Sequence, residues 1–356
     1  MKVILAFDSF KGCLTAGDAC AAAALGVHRV LPDVRTLEMP MSDGGEGLVN
    51  CVSRILPVTP VKLTVHGPLM KPLTASYALS EDGATAYMEM ASACGLTLLP
   101  EELRDPMKAT TYGVGEMLTD ALRRGCSKII MGIGGSATCD GGRGMVDALR
   151  DAGVLGMMCP MVVACDVDNP LYGLRGAAHV FGPQKGATHE QVVMLDDRLR
   201  EFARFTERQL HIDATWADHP GAGAAGGLGY ALLAYLKAEL RSGIDILLDL
   251  THFDRELADA DLVITGEGQS DRQTLMGKVA CGVMRRCRSH GVPVWLLSGR
   301  VDDPEHELPR CFDVVRSINE GDSRPLSLLL SPEVARGNLS HAVSRVLREK
   351  GFPERG

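Results

Sequence analysis

Residues 127–142 read SKIIMGIGGSATCDGG. A β-branched apolar run passes straight into a loop holding five glycines, a serine, a threonine and an aspartate. Short apolar runs that end at glycine read as strands buried on both faces. Glycine is entropically costly, so a cluster of it after a strand marks a place where something approaches the backbone closely. The same strand-then-turn pattern recurs in KVILAF (2–7), MVVACDV (161–167), ADLVITGEG (260–268) and VPVWLLSG (292–299). Helical patterns lie between them at 15–31, 111–125, 229–243 and 273–291, the first opened by a capping pair, Thr15 with Asp18. A last helix at 339–350 has Leu339, Ala342, Val343, Val346 and Leu347 at helical spacing. That alternation predicts an α/β fold with a largely parallel sheet. Residues 61–87 read instead as an antiparallel hairpin region and as a crossing point between domains.

The chain has 356 residues, 46% of them hydrophobic, which favours two domains with sizeable cores over one. A net charge of −8 argues against a nucleic-acid or anionic-membrane surface. Eleven cysteines are scattered without a CxxC pair, and no HExxH occurs, so neither a zinc site nor a redox dithiol is signalled. Free, buried thiols in a reducing cytoplasm are the expectation. The N-terminal apolar run is broken by Asp8 and reads as a strand rather than a signal peptide, and no run approaches a membrane span. A soluble, cytoplasmic protein follows.

Ligands of α/β proteins sit outside the carboxyl ends of the strands. This chain places Asp8, Ser9 and Lys11 after the first strand. Asp43, Gly44, Gly45 and Glu46 lie in MPMSDGGEG; Gly134, Gly135, Ser136, Thr138 and Asp140 in the opening loop. Asp166 and Asp168 stand two apart; Lys185 lies between two glycines; Glu267 and Asp271 follow DLVITG. Cations and amides for oxyanions, carboxylates for Mg²⁺ and one carboxylate for an attacking hydroxyl are the mixture that phosphoryl transfer needs. Each residue alone has a plainer use, as a helix cap, a turn or a solvated lysine. Recurrence at four or five strand ends is what carries the reading.

Dinucleotide binding is the alternative. GIGGSA (132–137) fits G-x-G-x-x-G/A after a strand, but no second strand ending in an acid follows about twenty residues on. GAGAAG (221–226) matches fully, yet TWADHP before it is not a strand. The only Gly-Lys pair, Gly277-Lys278, precedes Val279, so no Walker A loop is present.

Ten stretches in order, DSFKG, MPMSDGGEG, EMASACGL, TTYGVGEML, GIGGSATCDGG, ACDVDNPLYG, AAHVFGPQKGAT, GAGAAGGLGYAL, GIDILLDL and DLVITGEG-x-x-D-x-QTL-x-GK, resemble the bacterial type-1 glycerate kinases along nearly the whole chain. The resemblance implies ATP- and Mg²⁺-dependent phosphorylation of D-glycerate, most often at the 2-hydroxyl. It also implies two α/β domains, one discontinuous and Rossmann/flavodoxin-like in character, with the second inserted into it and the active site in the interdomain cleft. The expected boundaries are 1–78 plus 286–356 for the first and 79–285 for the second. Phe7 stands where the family has proline, Cys139 replaces an asparagine, Gln269-Ser270 replaces Arg-Ile, and the segment 145–160 is much shorter than usual.

The expected roles follow. Lys11 and Lys185 neutralise phosphate or carboxylate charge, and Asp166 and Asp140 act as base or positioning carboxylates. Asp168 and Glu267 hold the metal. Ser9, Asp43, Gly44, Gly45, Glu46, Gly134, Gly135, Ser136 and Thr138 bind substrate or phosphate. D-glycerate and ATP are the small-molecule partners, and a homodimer is left open. A non-catalytic glycerate-binding protein and a nicotinamide-dependent dehydrogenase remain as the other classes.

Overall fold

The computed structural model describes residues 1–42, 47–157 and 159–351. The chain divides into two compact units, one from residues 1–42, 50–55 and 244–351, the other from 47–49 and 56–243. It opens with β1 (Lys2–Phe7), buried at every position, then α1 (Ala16–His28) and β2 (Arg35–Glu38). Thr15 caps α1 by accepting the Asp18 amide at 3.1 Å.

The second unit begins with β3 (Val58–His66), β4 (Pro72–Ser80) and β5 (Thr85–Glu89). Then come α2 (Tyr112–Arg123), β6 (Lys128–Gly132), α3 (Arg143–Asp151) and β7 (Met161–Ala164). The unit ends with α4 (His189–Leu210), α5 (Ala224–Leu236) and β8 (Glu239–Arg241). Returning to the first unit, the chain forms β9 (Leu262–Gly266), α6 (Val279–His290), β10 (Val294–Ser298), β11 (Val314–Ser317) and α7 (Pro332–Glu349).

The first unit's sheet is parallel throughout in the order β11-β10-β9-β1-β2. Parallel strands have both faces covered, which is why these run apolar without alternation. On one face α1 and α7 pack closely: a Cβ at Gly26 would lie 2.4 Å from the Ser340 carbonyl oxygen. The second unit's sheet is mixed, in the order β3-β4-β5-β6-β7-β8, antiparallel across β3, β4 and β5 and parallel from β5 to β8. The α/β class and the hairpin region at 61–87 therefore hold.

The boundaries differ from the expected 78 and 285. The β3–β4 hairpin hydrogen-bonds onward through β5 into β6, so it belongs wholly to the second unit. Strand β9 was expected in the inserted domain but pairs with β1 and β10 at the centre of the first sheet. Its local pattern is that of any buried strand, so pairing, not composition, assigns it. The helix expected over 229–243 stops at Leu236, where Lys237 turns left-handed (φ 55°), and its last residues form β8.

Candidate active site

In the first unit the chain winds from β1 to β2 on one side and from β9 through β10 to β11 on the other, so the strand order reverses between β1 and β9. Ligands of such sheets bind outside the carboxyl ends at that point. The Asp8 amide donates to the Gly266 carbonyl at 2.9 Å, and the Ser9 amide to Asp8 Oδ1 at 2.6 Å. Gly268 lies against this turn, since a Cβ there would be 3.4 Å from the Lys11 amide nitrogen. The Lys11 side chain is exposed and makes no ion pair with a described residue.

Glu267 is 6% exposed, and its Oε1 accepts from Thr274 Oγ1 at 2.7 Å and Ser270 Oγ at 3.1 Å. Ser270 Oγ also bonds Ser298 Oγ at 2.7 Å. Burial pushes the Glu267 carboxyl above its usual range, against the lowering effect of those hydroxyls and of Lys278.

In the second unit the carboxyl ends of β5 to β8 carry Glu89, the loop 133–142, Asp166 and Asp168, and Arg241. The loop is tied back twice, by Leu96 N donating to Gly135 O at 2.8 Å and Ala137 N to Cys94 O at 2.9 Å. Gly135 is exposed with φ 71°, so the loop tip presents bare backbone. Lys185 lies beneath it, 2% exposed, and donates to Ser136 Oγ and Thr138 O, both at 2.7 Å. Burial lowers its pKa to about 8, only partly offset by the nearby Cys139 and Asp140. This ammonium holds the loop from inside the protein.

Asp140 is also engaged by the fold. Its Oδ2 accepts the Thr111 amide and hydroxyl, each at 2.8 Å, and the Gly144 amide at 3.1 Å, while Oδ1 accepts the Gly142 amide at 3.0 Å. It gathers amides at the start of α3 and ties that helix to the start of α2. Thr138 Oγ1 is buried without a partner among the described atoms. Asp166 is exposed at the end of β7 and accepts the Gly243 amide at 3.1 Å. Asp168 is 79% exposed and 3.6 Å from Arg175.

Asp168 belongs to the second unit and Glu267 to the first. Among the described residues no three metal-binding side chains are grouped to hold an ion. Asp43, Gly44, Gly45 and Glu46 lie outside the described residues.

The second glycine-rich match, GAGAAG, packs against the first. A Cβ on Gly226 would fall 1.9 Å from the Thr138 carbonyl oxygen, and Gly141 N donates to Gly226 O at 3.0 Å. It therefore supports the loop, which removes its claim as a dinucleotide fingerprint. Two site-edge residues escaped the sequence reading. Arg241 was hidden in the predicted helix 229–243, whereas Glu89, whose Oε1 accepts the Val49 amide at 2.8 Å, closes β5 as Asp166 follows β7 and was open to the same strand-end rule. No described helix is long and apolar enough to cross a membrane.

The profile of the Glycerate kinase family matches residues 3–154 and 155–349. Glycerate 2-kinase of Escherichia coli K12 is 40% identical, over 90% of this chain and 92% of that one. Glycerate kinase of Bacillus subtilis 168 is 41% identical, over 88% and 90%. Glycerate kinase of Bacillus cereus is 38% identical, over 99% of this chain and 100% of that one. A crystal structure described as a candidate glycerate kinase 2 from Salmonella typhimurium LT2 superposes with a TM-score of 0.84 at 39% identity, covering 98% of both chains. A profile spanning almost every residue, relatives matched over most of their length and a shared fold lead to one conclusion: the chain belongs to the glycerate kinase family of phosphotransferring enzymes.

Proposed function

We propose that this enzyme transfers the terminal phosphoryl group of ATP to D-glycerate, forming 2-phosphoglycerate. The observation that carries the reading is the loop 133–142, an exposed glycine-rich tip held from below by a buried lysine and flanked by an exposed carboxylate at the next strand end. Such a loop offers amides and the Ser136 side to an oxyanion without reorganising, the form of stabilisation phosphoryl transfer depends on. Asp166 orients the attacking hydroxyl and takes its proton. Lys11, a mobile point charge at the end of β1, neutralises phosphate or carboxylate oxygens. Mg²⁺ enters with the nucleotide, held mainly by phosphate oxygens and water, as suits a cation that is seldom caged by protein side chains alone.

The test is ADP release from D-glycerate, ATP and Mg²⁺, with and without EDTA, followed by NMR of the product. Turnover that EDTA abolishes, with phosphorus coupled to the proton on carbon 2, is expected. Coupling to carbon 3 would overturn the product assignment. Absence of turnover while glycerate still raises the melting temperature would leave a glycerate-binding protein.

A further inference from the structure

Helices α3 and α4 flank a cleft of about 610 Å³, within the ~300–1,000 Å³ typical of small-ligand sites. It meets the loop 133–142 only at Cys139 and Asp140, so it is separate from the carboxyl edge of the sheet. One wall is aromatic. Phe202 stacks on Tyr235 with centroids 6.5 Å apart and an interplanar angle of 19°, and Phe205 beside it is 52% exposed. Half-exposed phenylalanine beside a stacked pair leaves apolar surface for a partner to cover.

The rim is rich in unspent guanidinium donors. Arg143, Asp147 and Arg150 follow one another at i, i+4 and i+7 along one face of α3. The single carboxylate of Asp147 serves both arginines, Arg150 at 2.9 Å and Arg143 at 3.7 Å. Across the cleft Arg198 has one long bond, to the Met107 carbonyl at 3.4 Å, and no ion pair with a described residue. Asp140, the other carboxylate at the inner end, is spent on backbone amides. Glu201 also lines the cleft but pairs with none of the three arginines. Each guanidinium carries five N–H donors in a planar fork, so most here point to no protein acceptor.

We propose that this cleft is a second binding site, for a small organic anion whose aromatic or apolar body lies on Phe202 and Phe205 and whose acid group is gripped by Arg143 and Arg198. The probe is 8-anilinonaphthalene-1-sulfonate, an anion on an aromatic body, added to the folded enzyme. Saturable fluorescence enhancement at one site per chain is expected. Arg198→Glu and Phe205→Asp should each weaken it at least about tenfold while circular dichroism, melting temperature and basal turnover stay as in the parent. The uncharged analogue N-phenyl-1-naphthylamine should bind at least about tenfold more weakly than the sulfonate. Absence of saturable binding overturns the proposal, as does binding indifferent to both substitutions. Equal binding of the uncharged analogue would remove the anion site. A dimer that Phe205→Asp dissociates would make the cleft an interface between copies and would overturn it too.

Discussion

Lys185 is a single ammonium inside the second unit, bonded to a hydroxyl and a carbonyl and to no carboxylate among the described residues. Its pKa is near 8 folded and about 10.5 unfolded, so between those values the unfolded chain binds more protons. The stability it contributes is therefore fully present above pH 10.5 and is lost as pH falls through about 8. Replacing it with methionine removes that dependence. The stability of the parent relative to Lys185→Met should rise by about 3 kcal/mol from pH 8 to 10.5, measured by denaturant titration of both proteins. A flat difference would contradict the burial. Because the lysine holds the loop, the same variant should also lose kcat/KM. Asp166→Asn leaves the fold intact and should lower kcat more than about tenfold, with little change in the KM for glycerate. An unchanged kcat would remove Asp166 from the reaction.

Among the elements, α1 is held by its cap at one end and by contact with α7 along its length. Thr15→Ala removes the acceptor for the Asp18 amide and should cost about 1 kcal/mol in a denaturant melt, with turnover unchanged. The pairing of the two glycine-rich segments is stricter. Gly226→Ala would drive a Cβ into the Thr138 carbonyl at a residue whose φ is 69°. A loss of about 3 kcal/mol or more is expected, together with impaired turnover, since the displaced atoms belong to the loop that Lys185 supports. A variant as stable as the parent would show that the segments do not bear on one another.

For the whole molecule, burial sets the chemistry of the thiols. Cys20, Cys94 and Cys287 are pushed up to about 12 and Cys139 to about 11. Raised folded pKa values mean that their contribution is present below about pH 9 and is lost as pH rises through 11 to 12. Under reducing conditions the melting temperature should fall above pH 9. A thiol reagent should titrate eleven cysteines in guanidinium and far fewer, slowly, in the native enzyme. The strands, the hairpin region and the family were legible in the sequence because period, length and turn chemistry are local, and the colinear stretches keep their order whatever the packing. The loop 133–142 was legible for the same reason, as a strand followed by glycines. The assignment of β9 to the first sheet, the end of α5 at Lys237 and the inward turn of Lys185 and Asp140 depended on neighbours 29 or more residues away in sequence or on a left-handed backbone at a non-glycine residue. A lysine between glycines has the same local pattern whether it faces a phosphate or a buried carbonyl. Local pattern determined the elements and the loop, and long-range pairing and desolvation decided which charges are left free to meet a substrate.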